Sequence, residues 1–194
     1  DTISFEESFT IKGQQQAIVD YCESENRPIT SEDIQLIIRS GSRAHANFYI
    51  DQLIKENLLV RIDYLHLDIP HRAFNNAPVS QILQRSLRII TESGCPVEAG
   101  YIADDCNIRF QLDYAKKWYI SLLRYHLQKQ NKTVYFYLNI ISLQPIHKFS
   151  LMEMIMGMLP NTNNIEEIVK QVKPILLCND RYIRNAYANA KRAI

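Results

Sequence analysis

A chain of 194 residues with 46% hydrophobic and 22% charged side chains has an ordinary globular composition, with room for one large domain or two small ones. No apolar run reaches the roughly 18–20 residues of a membrane span, and the acidic, polar start DTISFEESFT is unlike a signal peptide, so a cytoplasmic protein is expected. The net charge of +1 is unevenly placed: residues 1–70 hold 6 Lys/Arg against 12 Asp/Glu, residues 71–150 hold 10 against 5, and residues 151–194 hold 6 against 4. The basic excess of a nucleic-acid binder thus falls in the middle and at the end of the chain, not at its start.

The spacing of Ala17, Ile18, Tyr21 and Cys22 predicts a helix over 12–24, broken near Pro28 because proline disfavours helix in the residue before it. Thr30-Ser31-Glu32-Asp33 reads as a helix cap, followed by a short helix with Ile34, Ile37 and Ile38 on one side. That helix stops at Ser40-Gly41, where glycine relaxes the backbone restriction. Ser42 caps a second helix, Arg43 to about Asn57, with Ala46, Ile50, Leu53, Ile54 and Asn57 on one stripe. Two alternating runs, Leu58–Ile62 and Leu65–Ile69, suggest a short ribbon, although no Gly or Asn supplies its turn.

Residues 71–78, within PHRAFNNAP, form the linker candidate. A helix is predicted over 79–93, then a break at Gly94-Cys95-Pro96-Val97, a short helix near 98–105, and the longest helical stretch over 109–130. The β-branched and aromatic run TVYFYLNIISL, 133–143, predicts a strand. Pro28-Ile29 overlies Pro96-Val97 and Ile34 overlies Ile102 at a constant offset of 68, an order that fits either two copies of one plan or chance. Residues 149–194 read as helices: one near Leu151–Leu159, one capped by Asn164, and a last one from Asp180 with a basic end.

The helix, the Ser40-Gly41-Ser42 turn, the stripe Ala46, Ile50, Leu53 and the entry Leu58-Leu59-Val60 together resemble the winged helix-turn-helix superfamily of bacterial and phage regulators. The resemblance covers about a third of the chain well and another third loosely. It implies a mostly α fold with small β wings (α+β): a winged helix-turn-helix over 1–70, a linker over 71–78, a second winged-helix-like unit over 79–148, and a helical packing or dimerisation segment over 149–194. It also implies that the second helix enters a major groove, making Ser42, Arg43, His45, Asn47 and Tyr49 candidate contacts with double-stranded DNA. The plainer reading makes Ser42 a cap and Arg43 a solvated surface charge.

Arg109, Lys116, Lys117 and Arg124 fall on one broad face if 109–130 is a single helix, with Tyr114 and Trp118 beside it. Such interleaving suits phosphate and base contacts, or equally a core helix with buried aromatics and lysines solvating its outer side. Catalysis finds no signature. The histidines His45, His66, His71, His126 and His147 are scattered, and H-E-x-x-H, G-x-S-x-G and glycine-rich phosphate loops are missing. Cys22, Cys95, Cys106 and Cys178 form no C-x-x-C, and Met152, Met154, Met156 and Met158 at i, i+2 spacing read as adaptable filler. The expectation is a homodimeric DNA-binding transcriptional regulator or accessory factor, not an enzyme, with no cofactor or metal. The acidic N-terminal unit leaves open a winged-helix protein–protein interaction module that does not bind DNA.

Overall fold

The computed structural model describes the backbone of residues 5–129, 134–146 and 149–193, with side chains from 11 to 127 in the first stretch. The chain is mostly helical with two small antiparallel sheets. It divides into two units, Asp1–Ala77 with Ser121–Tyr125, and Pro78–Ile120 with His126–Ile194.

In the first unit, helix α1 (Phe5–Ser24) begins ahead of residue 12, where apolar spacing first becomes readable. Asn26 turns the chain with φ 50°, and Ile29 then exchanges two 2.8 Å backbone hydrogen bonds with Leu67. Helix α2 (Ser31–Ile37) starts from a capping box: the Thr30 hydroxyl accepts from Asp33 N–H, and the Asp33 carboxylate accepts from Thr30 N–H. Helix α3 (Arg43–Lys55) follows, then strands β1 (Val60–Arg61) and β2 (Leu67–Asp68), paired antiparallel with Val60 opposite Asp68. Ile18, Cys22, Ile29, Ile34, Ala46, Ile50, Leu53, Leu59 and Leu67 lie together in the core of this unit.

The linker expected over 71–78 is largely helix α4 (Pro70–Phe74). Proline is accommodated because it occupies the first helical turn, where its missing N–H has no intrahelical partner to lose. Arg72 secures the helix by donating to Asp68 at 2.9 Å and to the carbonyls of Cys22 and Arg27 at 3.0 and 2.8 Å.

The second unit holds α5 (Val79–Glu92), β3 (Val97–Glu98), α6 (Ala99–Phe110), most of α7 (Lys116–Lys129), β4 (Tyr135–Tyr137), β5 (Ile140–Ser142), α8 (Leu151–Met158), α9 (Ile165–Val172) and α10 (Asp180–Arg192). Its sheet has the order β3-β5-β4. Two expectations are corrected here. The single helix over 109–130 is interrupted, because Gln111 takes φ 54° and ends α6. Asn107 then clamps the connection: its side-chain N–H donates to the Tyr114 carbonyl at 3.0 Å, and its oxygen accepts from Tyr114 N–H and the Tyr119 hydroxyl at 3.1 and 2.6 Å. Likewise the strand expected over 133–143 is a hairpin, turned at Leu138 (φ 51°) and Asn139, with Tyr137 opposite Ile140. Thr133 and Gln130, the ends of those two expected elements, lie outside the described residues.

The segment expected to be wholly helical also contributes an extended piece. Leu177 bridges Val97 in parallel, donating to the Pro96 carbonyl at 2.9 Å while its own carbonyl accepts from Glu98 N–H at 2.8 Å. Helices α8, α9 and α10 enclose Leu151, Ile155, Ile168, Val172, Leu176 and Ile183 together with Ile140 of β5, so this segment belongs to the second unit's packing.

Candidate nucleic-acid interface

The turn before α3 is built differently from its glycine signal. The left-handed residue is Arg39 (φ 51°), whereas Gly41 carries no positive φ. Ser40 N–H donates to the Gln35 carbonyl at 2.9 Å, Ser42 N–H donates to the Ser40 hydroxyl at 3.2 Å, and the Ser42 hydroxyl accepts from His45 N–H at 3.4 Å. Ser42 is therefore a helix cap that keeps its own O–H available as a donor.

Arg43, His45 and Asn47 stand exposed on the first turns of α3, where Phe48 is 41% exposed. Among the described residues neither the Arg43 nor the Asn47 side chain takes a hydrogen-bond or ion-pair partner. Tyr49 is different: it is 2% exposed, donates its hydroxyl to Gln14, and carries the His45 ring 5.3 Å away. It belongs to the core, so it is withdrawn from the contact residues. The stripe Ala46, Ile50, Leu53 leaves only its flanks for recognition, and Tyr49 lies on the inner flank.

The acidity of the first unit is local. Residues 1–38 hold eight acids against two bases, while residues 39–70 hold four of each. The bases Arg39, Arg43, Lys55 and Arg61 all come from the turn, α3 and β1. Three of the four acids in that stretch are engaged: Asp68 with Arg72, Asp63 with His66 at 2.8 Å, and Glu56 as acceptor from Gln15 at 3.5 Å. The hydrogen-bonded Asp63 carboxyl lies below the usual carboxylate range because those bonds together outweigh its burial.

The ribbon between β1 and β2 has its turn residue after all. One Asp63 oxygen accepts from both Leu65 and His66 N–H at 2.7 Å, doing with a side chain what a left-handed glycine does elsewhere. Ile62 N–H closes the turn on the His66 carbonyl at 3.1 Å. Tyr64 and Leu65 are left at the tip, 62% and 65% exposed.

The expected basic stripe does not form one exposed face. Arg109 is exposed at the end of α6, whereas Lys116 and Lys117 begin α7 beyond the break. Lys116 sits 3.2 Å from the Glu98 carboxylate, itself 2% exposed, and 5.7 Å over the Tyr182 ring. Lys117 donates to Asn139 at 3.1 Å. Arg124 is half-buried, and that burial lowers its pKa from the ordinary guanidinium value. Trp118 is 2% exposed and stacks on Tyr114 at 4.2 Å, so α7 is a core helix whose first two lysines are internally engaged.

Other chemistry finds little purchase. Among the described residues no three His, Cys, Asp or Glu side chains come together as a metal site. Burial pushes the Cys106 and Cys178 thiols up to about 11 and about 12 and raises that of Cys22, which disfavours the nucleophilic thiolate. Among the described residues no helix is long and apolar enough to cross a membrane. The exposed tip at Tyr64 and Leu65 was not read from the sequence; the Asp63-x-x-His66 spacing was the signal that a tight turn follows β1. No family model matches the chain, and neither a curated protein nor a solved structure matches it.

Proposed function

We propose that the chain is a DNA-binding transcriptional regulator or accessory factor built on two winged helices, acting as a homodimer, with the first unit as its reading head. The observation that carries this reading is the exposed opening of α3, where Arg43, His45 and Asn47 stand together on a helix capped by Ser42. An Arg at such a position fits the acceptor edge of guanine or a phosphate, and an Asn fits adenine. The winged-helix assignment is supported by element order. In each unit a helix, a short extended piece, two helices and two strands follow in turn, and the early piece pairs with the last strand: Ile29 with Leu67, and Val97 with Ile141. Dimerisation follows from the small area one module buries on a duplex.

Selection of duplexes from a random pool, followed by fluorescence anisotropy, tests the proposal. Arg43→Ala combined with Asn47→Ala is expected to weaken the selected site by about 10- to 100-fold while sparing unrelated duplexes. No preference over random duplex, even at low salt, would overturn it. Sedimentation of the free chain and its complex tests the homodimer, and a single copy on a two-fold site would count against it.

A second reading is favoured by the apolar surface of the first unit. Leu36, Tyr64 and Leu65 are 77%, 62% and 65% exposed in a unit whose first 38 residues hold eight acids against two bases. A protein-interaction module would use these groups, and its binding would respond to Leu36→Ser and Leu65→Ser but not to the α3 pair.

A further inference from the structure

Helix α10 (Asp180–Arg192) is sharply two-sided. Ile183 and Ala190 are buried against α8 and α9, with Ala186 and Tyr187 partly covered. On the opposite side, Arg181, Arg184, Asn185, Ala188, Lys191 and Arg192 are all exposed. At 3.6 residues per turn these six fall within an arc of about 120°, and no acidic residue of α10 lies inside it. The helix is held in place at its start, where Lys173 pairs with Asp180 at 2.9 Å. Arg184 meets Glu166 of α9 at 2.6 Å, and Lys191 lies 4.9 Å over the Tyr187 ring. Among the described residues Arg181 and Arg192 take no hydrogen-bond or ion-pair partner.

We propose that this outer face of α10 is a second duplex-DNA contact, sequence-neutral and made to the phosphates. Three features commit it to that occupant. Arg181 stands at one end of the face and Lys191 with Arg192 at the other, about 16 Å apart, a length along which a duplex presents roughly ten phosphate charges. Its intervening residues are short, Asn185 and Ala188, so a backbone can approach closely. Lys116 and Lys117 of α7 in the same unit are already engaged by Glu98 and Asn139, whereas Arg181 and Arg192 of α10 face outward. This role rests on the DNA-binding reading proposed above, and assigns the second unit grip instead of reading.

The test uses the full chain, two fluorescein-labelled 30-base-pair duplexes, one carrying the selected site and one of mixed sequence, and a salt titration. Arg181→Gln with Arg192→Gln is expected to lower affinity about tenfold on every duplex and to reduce the salt slope by about 2, since two phosphate contacts are lost. Arg181→Lys with Arg192→Lys is expected to restore the slope, because a phosphate contact of this kind needs only a point charge. Thermal melts by circular dichroism confirm that each variant is folded. An unchanged affinity and slope in the Gln pair, with the Arg43/Asn47 pair still weakened, overturns the α10 contact and leaves the α3 reading intact. Loss in the Gln pair alone, with the Arg43/Asn47 pair unaffected on the selected site, upholds α10 and overturns the α3 reading. No duplex binding by the unaltered chain overturns both. Vesicles of phosphatidylserine and phosphatidylcholine form the last arm: if the Gln pair loses vesicle binding and keeps duplex binding, the face serves lipid headgroups and the DNA contact is overturned.

Discussion

Single polar side chains at two connections set the backbone where glycine is missing. Asp63 organises the β1–β2 turn by accepting two N–H groups at 2.7 Å. Replacing it with Ala leaves both donors to water on a half-exposed turn, so a loss of about 1 kcal/mol in urea unfolding is expected, with faster amide exchange at Leu65 and His66. Exchange rates equal to wild type would show that the strands alone hold the tip. At the α5–α6 contact, Arg85 forks onto Asp105 at 2.7 and 2.6 Å. Those bonds hold the Asp105 carboxyl below its ordinary value of 3.8, and burial opposes them. A depressed carboxyl stabilises the fold fully above its unfolded pKa and loses that contribution as pH falls through its folded pKa. Arg85→Gln is therefore expected to cost about 1–2 kcal/mol at pH 7, with the gap from wild type closing below about pH 4. A gap constant from pH 7 to pH 3 would assign the loss to packing.

Element starts were legible where a side chain states them. Ser42 and Asn164 cap α3 and α9 as their chemistry indicates, and Thr30 caps α2. Element ends were not, because the deciding group lies elsewhere in sequence. Periodicity runs unbroken from Arg109 to Leu127, and left-handed Gln111 together with the clamp from Asn107 to Tyr114 and Tyr119 separates α6 from α7. Once that break is in place, Arg109 and the two lysines no longer share a helix, which is why the expected basic stripe dissolved. Asn107→Leu leaves three polar groups without their partner and is expected to cost about 2–4 kcal/mol. Asn107→Asp keeps the acceptor but faces the Tyr114 carbonyl with a carboxylate, so it is expected to fall between the two. Urea titrations of both variants check the order, and an Asp variant as stable as wild type would remove the donor from the account. The hairpin in 133–143 was hidden for a related reason: Leu138, a residue with little liking for φ 51°, makes the turn.

Over the whole molecule, charge counts by segment were misleading until the acids were placed. The −6 of residues 1–70 is carried ahead of residue 39, which removes the objection to α3 that the sequence alone raised. The apolar order of the first unit was largely readable because its core cluster, Ile18 to Ile69, comes from one contiguous stretch, joined from afar by Ser121–Tyr125. The second unit was less readable because its core draws on residues far apart, and that distance has a consequence in time. Val97 pairs with Ile141 and also with Leu177, 44 and 80 residues further on. During synthesis at about 5–20 residues per second, β3 waits roughly 4–16 s for its last partner, an interval in which a strand edge stands open. Pulse-labelled amide exchange is expected to protect Ile34, Ile50 and Leu53 before Val97 and Glu98 during refolding. Simultaneous protection would show that the two units form in one step. The same delay is expected to make the second unit, and not the more acidic first, the more aggregation-prone part of a nascent chain.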